Sequence, residues 1–200
     1  MGVQSAVPFV GLTGGMGAGK STALAVLERL GVAVLSTDRV VHELYGSGRL
    51  RDAVVARFGP DVAPGDEVDR SALAARAFAN EEDRVWLEQL LWPLVGERVA
   101  AWLAAVRASG AVPRAAVVEV PLLFEAGMED LYDATVVVIS GEQVRRERAA
   151  ERGHVLPEER AARQLSQEEK ARRATFVVRN DGTVEELERE LSVVLDKLGV

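Results

Sequence analysis

The chain contains no cysteine, which excludes disulfide bracing, thiolate chemistry and any zinc site built on sulfur. Lysine is almost missing too. Of 24 basic residues only Lys20, Lys170 and Lys197 are lysines and the other 21 are arginines, so a lysine in this chain is informative. Long apolar runs are lacking: the longest, such as Val99–Val106, fall far short of the roughly 20 residues that span a bilayer. Met1–Pro8 carries no basic residue and leads straight into a glycine-rich loop, so no secretory leader and no membrane association are expected, and the cytoplasm is the expected location. Positive charge is in deficit, with a formal net charge of −7. That balance argues against gripping a nucleic-acid backbone, which needs a broad basic footprint, while leaving room for a local site for a small anion.

What is present is a chain of 200 residues, 48% hydrophobic and 28% charged, enough to bury a full core as one domain with insertions. Short valine-rich runs at Val7–Leu12, Val32–Leu35, Ala115–Val120, Ala134–Ile139 and Thr175–Val178 read as buried strands, and helical stretches lie between them. Ser21–Leu30 has apolar residues at helical spacing up to Gly31, and Thr183–Leu198 reads as a closing amphipathic helix. The alternation predicts an α/β fold, a five-stranded parallel sheet covered on both faces, with ligands beyond the carboxyl ends of the strands. The core is expected over about 7–45, 112–141 and 174–200. Between these lies a helical insertion over about 46–111, broken by Pro60, Pro64 and Pro93. A segment over about 142–173 is dense in charge, with nine basic against seven acidic residues, a net of +2 against −9 elsewhere.

Gly14-Gly15-Met16-Gly17-Ala18-Gly19-Lys20-Ser21 has the Walker A spacing and sits between a predicted strand and a predicted helix. Glycines allow a tight turn whose N–H groups point inward at phosphate oxygens, and the following helix adds the positive end of its dipole. Lys20 then reaches the β- and γ-phosphates of ATP, Ser21 supplies a hydroxyl to Mg2+, and Thr22 is placed for the α-phosphate. Asp38, just past the second strand, can accept a proton from a substrate hydroxyl and lie near the metal, or can serve as a helix N-cap. Glu119 closes the third strand, where an acidic residue faces the metal in proteins with such loops. Glu125 is either a site acid or a solvated loop residue. Arg148 with Arg152, and Arg160 with Gln164, are each one helical turn apart and can present paired donors to phosphate. Arg145, Arg146 and Arg173 read as solvated helix faces, and His42 as an exposed helical histidine.

Taken together, the run from Gly11 to Thr22, Asp38, Asp69-Arg70, Pro121-Leu-Leu-Phe-Glu125, Glu168-Glu-Lys170 and Phe176-Val-Val-Arg-Asn180-Asp-Gly182 resembles the dephospho-CoA kinase family over nearly the whole chain. The resemblance implies a P-loop three-layer core, a helical acceptor-side domain and a lid, with transfer of the γ-phosphate of ATP to the ribose 3'-hydroxyl of dephospho-CoA. It makes Asp38 the base, Arg148 and Arg152 lid donors, and Asn180 with Gly182 part of the adenine-side loop. Another small-molecule or nucleoside monophosphate kinase is the alternative. The chain departs from the family pattern at Ser36-Thr37-Asp38, at Thr175 and Arg179, and at Trp92-Pro93, where a histidine is usual. Trp92 is expected to pack in the core of the insertion, with a ring facing the acceptor as the alternative.

Overall fold

All five apolar runs form strands in the computed structural model, which describes residues 7–65, 67–110, 112–151 and 164–200. They are β1 (Phe9–Gly14), β2 (Ala33–Ser36), β3 (Ala116–Glu119), β4 (Ala134–Ile139) and β5 (Phe176–Arg179). The sheet is parallel throughout, in the order β2-β3-β1-β4-β5. Because β1 leads to β2 across β3, and β3 leads to β4 across β1, the chain reverses direction between β1 and β3. Open parallel sheets bind ligands at such a reversal, beyond the carboxyl ends.

Helix α1 (Lys20–Arg29) buries Ala23, Leu24, Val26 and Leu27, and Gly31, at φ 82°, turns the chain into β2. These residues share a core with Val10, Leu12, Val117, Val136, Val138 and Val178 of the sheet. The C-terminal helix, Val184–Lys197, adds Leu187, Leu191, Val194 and Leu195 at helical spacing. A capping box starts that helix, in which Thr183 and Glu186 each bond the other's backbone.

The chain divides into two compact units, Met1–Ser36 with Leu103–Val200, and Thr37–Trp102. The second is helical, with α2 (Thr37–Leu44), α3 (Gly48–Phe58), α4 (Arg70–Ala77) and most of α5 (Glu81–Ala108). Asp69 caps α4 by accepting from the backbone N–H groups of Ser71 at 2.9 Å and Ala72 at 3.0 Å. Arg70 reaches the ring Nδ1 of His42, which is exposed as expected. Trp86 packs edge-on against Phe58, with ring centroids 5.5 Å apart.

Two expectations for this unit are corrected. Pro93 does not break the insertion, because α5 runs through it for 28 residues. Proline removes one helical donor, to the carbonyl of residue 89, and Gln89 lies at an exposed position where water can replace it. Nor does Trp92 pack in the core, since it is 49% exposed. The buried residues of α5 are Leu87 and Leu94, seven apart on one face, and a residue two positions before Leu94 points to the other side of the helix. Among the described residues, no helix is long and apolar enough to cross a membrane.

The shared core predicts that Leu191→Ala, at a fully buried position, lowers unfolding free energy by about 2–5 kcal/mol. Val193→Ala, at a position 50% exposed on the same helix, should stay within about 0.5 kcal/mol. Chemical denaturation of both variants checks the contrast.

Candidate active site

The loop from Gly14 to Gly19 joins the central strand to α1 at the point where the strand order reverses. Gly17 and Gly19 have φ values of 75° and 92°, a region that side chains rarely tolerate. Both are also crowded, since a Cβ on Gly17 would lie 2.9 Å from the backbone oxygen of Arg145 and one on Gly19 would collide with the amide of Asn180. Helix α1 starts at Gly19 with no side-chain cap and no acidic residue in its first turn. Its positive end is therefore left to be met by an anion. Lys20 sits at this end, its Nζ donating to the carbonyls of Gly14 at 3.0 Å and Gly15 at 3.3 Å. Ser21 is exposed and Thr22 partly so.

The outer side of the loop is held by residues distant in sequence. Asn180, 5% exposed, donates from Nδ2 to the carbonyl of Ala18 at 2.8 Å. Arg148, on α6 (Glu142–Glu151), donates from Nη1 to the carbonyl of Asn180 at 3.0 Å. Arg145, on the same helix, donates from Nε to the carbonyl of Met16 at 2.9 Å. The reading of Arg145 as a solvated helix face is thus corrected, because it faces the loop from which a phosphate site would be built. Its spacing of three from Arg148 puts both on one helical face, and that was the available signal. Arg146 is 78% exposed and pairs with Glu142, as a surface residue does.

Arg173 lies on an exposed helix face, as read, and has partners there. It pairs with Glu129, holding that carboxyl below its usual range, and its guanidinium lies 5.1 Å from the ring centroid of Phe124. Arg152 and Arg160 lie outside the described residues. Gln164 is partly buried, but Gln167, three residues on, makes the defined contacts, accepting from the Ser140 N–H at 3.0 Å and donating to the Ser140 carbonyl at 2.9 Å. Gly182 adjoins the capping box, where a Cβ would strike Glu186.

Glu119 is 5% exposed at the carboxyl end of β3, beside Ser36 at the end of β2, and Ser36 Oγ donates to its Oε2 at 2.8 Å. This bond offsets part of the cost of burying a carboxylate. Asp38 is exposed in the first turn of α2, one residue inside the helix start, and belongs to the second unit. Ser21 and Glu119, both in the first unit, offer only hydroxyl and carboxylate oxygens, a hard donor set that suits Mg2+. Among the described residues no three acidic or histidine side chains form a metal cluster. Such a set fits an ion held by one or two carboxylates with substrate phosphates and water, and not an all-protein cage. Glu125, open between a site acid and a solvated loop residue, is neither solvated nor alone: its Oε1 lies 2.9 Å from Nζ of a fully buried Lys170.

Fold and site together define a P-loop kinase. The family model for dephospho-CoA kinase matches residues 8–186, and the chain belongs to that family. Among its relatives, the dephospho-CoA kinase of Deinococcus radiodurans is 39% identical over 194 residues, covering 96% of this chain and 92% of the relative. That of Chromobacterium violaceum is 41% identical over 189 residues, covering 91% and 90%. The crystal structure of TT1252 from Thermus thermophilus superposes with a TM-score of 0.79 at 33% identity, covering 96% of this chain and 98% of that one.

If Arg145 holds the loop through Met16, Arg145→Ala should weaken binding of an ATP analogue by about 10-fold, the scale of one charge-assisted hydrogen bond. Arg146→Ala should change it less than about 2-fold, as an exposed ion pair contributes little. Titration calorimetry on the two variants decides between a loop contact and a generic charge effect.

Proposed function

We propose that the protein transfers the γ-phosphoryl group of ATP to the ribose 3'-hydroxyl of dephospho-CoA, giving CoA and ADP. The observation that carries the reading is the glycine loop before an uncapped, acid-free helix start, with Lys20 at that start and the buried Glu119 on the neighbouring strand. Membership of the dephospho-CoA kinase family supplies the acceptor.

In this reading Gly14, Gly15, Met16, Gly17, Ala18 and Gly19 wrap the β-phosphate with backbone N–H groups, and Thr22 contacts the α-phosphate. Lys20 leaves its carbonyl partners for the β- and γ-phosphate oxygens, where its charge balances the loose transition state of phosphoryl transfer. Ser21, Glu119 and Asp38 would hold Mg2+, which when bound neutralises charge on the phosphate oxygens. Asp38 orients the acceptor hydroxyl and takes its proton as the bond to phosphorus forms. Arg148, joined by Arg152, neutralises the transferring group without titrating. Asn180 and Gly182 border the adenine, and the helical unit meets the acceptor.

The test is a coupled ADP-release assay offering dephospho-CoA, AMP, CMP and water in turn. Rapid ADP release with dephospho-CoA alone, yielding the 3'-phosphorylated product, is the expected result, whereas turnover of AMP or CMP at the same rate sinks the acceptor assignment. Lys20→Ala should lose about 100-fold or more in kcat, the scale seen when one preorganised donor is removed from a developing charge. Asp38→Asn should lose about 100-fold to 10,000-fold with the KM for ATP little changed. An Asp38→Asn enzyme that is less stable yet turns over normally would show a purely structural aspartate.

A further inference from the structure

Lys170 lies in α7 (Gln167–Arg173) with its side chain 0% exposed. It is one of only three lysines, in a chain that otherwise uses arginine. Its ammonium lies 2.9 Å from Glu125 Oε1 and donates to the carbonyl of Pro121 at 3.0 Å. Glu125 Oε1 also accepts from the Leu165 N–H at 2.9 Å, while its Oε2 is buried without a partner among the described residues. A buried ion pair is a poor source of stability, since apolar residues of the same volume usually serve as well or better. Placement of specific atoms is the other use of such a pair.

Those atoms lie around Pro121. Its carbonyl accepts a second hydrogen bond, from Thr13 Oγ1 at 3.3 Å. Thr13 is the residue before Gly14, where the phosphate loop leaves β1, and Pro121 is two residues beyond Glu119. One carbonyl thus ties the exit of β1 to the exit of β3, and Lys170 completes its coordination. One turn earlier in α7, Gln167 brackets the Ser140 peptide groups just beyond β4, and its Cγ lies 3.5 Å from where a Cβ on Gly15 would be. The helix is a strut across three adjacent strand ends. A compact ammonium suits the Lys170 position because it serves a carboxylate and a carbonyl at once without the width of a guanidinium.

We propose that Lys170, held by Glu125, is a positioning residue for phosphoryl transfer: through the shared Pro121 carbonyl it sets the acid-bearing end of β3 in register with the phosphate loop. It does not touch substrate. The inference rests on the kinase reading of the same site.

The test compares the wild type, Lys170→Met, and the double variant Lys170→Met/Glu125→Gln, each also on a Glu119→Gln background. Lys170→Met leaves a buried carboxylate uncompensated and should lower Tm. The double variant removes both charges, keeps an oxygen for Leu165, and should regain a Tm within a few degrees of wild type. The expected result is that its kcat nonetheless stays about 10-fold or more below wild type, with the KM for ATP within about 3-fold. On the Glu119→Gln background the same pair of changes should cost little more, because both act on one arrangement. Recovery of kcat together with Tm overturns the proposal, as do additive losses with Glu119→Gln or a double variant that fails to fold. Wild-type turnover of dephospho-CoA, measured alongside, separates the two readings. An inactive wild type removes the kinase assignment, whereas an active wild type matched by the double variant removes only the positioning role.

Discussion

A loop that turns its N–H groups toward an anion has to turn its carbonyls away, and buried carbonyls need donors of their own. In this protein that constraint accounts for much of the architecture around the site. The carbonyls of Gly14 and Gly15 are met by Lys20, that of Met16 by Arg145, that of Ala18 by Asn180, and that of Gly19 by the first helical bond of α1. Gly15 accepts also from the Ala18 N–H, which closes the turn within the loop. The donors come from α1, from α6 and from the segment after β5, so the elements that cover the sheet also hold the loop in shape. At Met16 and Ala18, whose donors are Arg145 and Asn180, the outer side of such a cradle needs no reorganisation when its inner side binds a ligand.

Lys20 differs from the other donors because its ammonium can exchange carbonyls for phosphate oxygens, while Arg145 and Asn180 stay on the outer side. A lysine and two donors from distant segments therefore share one short loop without competing. Glu119 follows the same economy at the neighbouring strand end. It is buried at the carboxyl end of β3, where Ser36 Oγ donates to its Oε2. The second unit has another character, with surface ion pairs such as Arg57 with Glu82 and Asp83, an exposed Trp92, and side-chain caps at Ser47 and Asp69. It still has buried apolar residues of its own, among them Leu50, Val54, Val62, Leu73 and Ala77.

Much of this was legible from residue order alone. The Walker A spacing places a tight glycine turn before a helix, valine-rich runs too short for helices place the strands, and an acid at the end of such a run places Glu119 at the sheet's carboxyl edge. These are local statements, governed by backbone sterics and by hydrophobic period, so a window of a few residues contains the information. Trp92 shows the limit. A tryptophan in an apolar stretch reads as core, but the helical phase set by Leu87 and Leu94 turns it outward. Pro93 shows another, since whether proline ends a helix depends on whether water can reach the carbonyl it leaves unpaired.

The sequence by itself thus determined the element types, the parallel sheet, the phosphate loop and the family pattern, because each rests on neighbours within a turn or a strand. Only the tertiary structure decided that Arg145 faces the loop, and that Glu125 and Lys170 form a buried pair. Arg145 meets Met16 across 129 positions, and Asn180 meets Ala18 across 162. No local period records such a partner, because a helical face becomes inner or outer only when the sheet brings another segment against it.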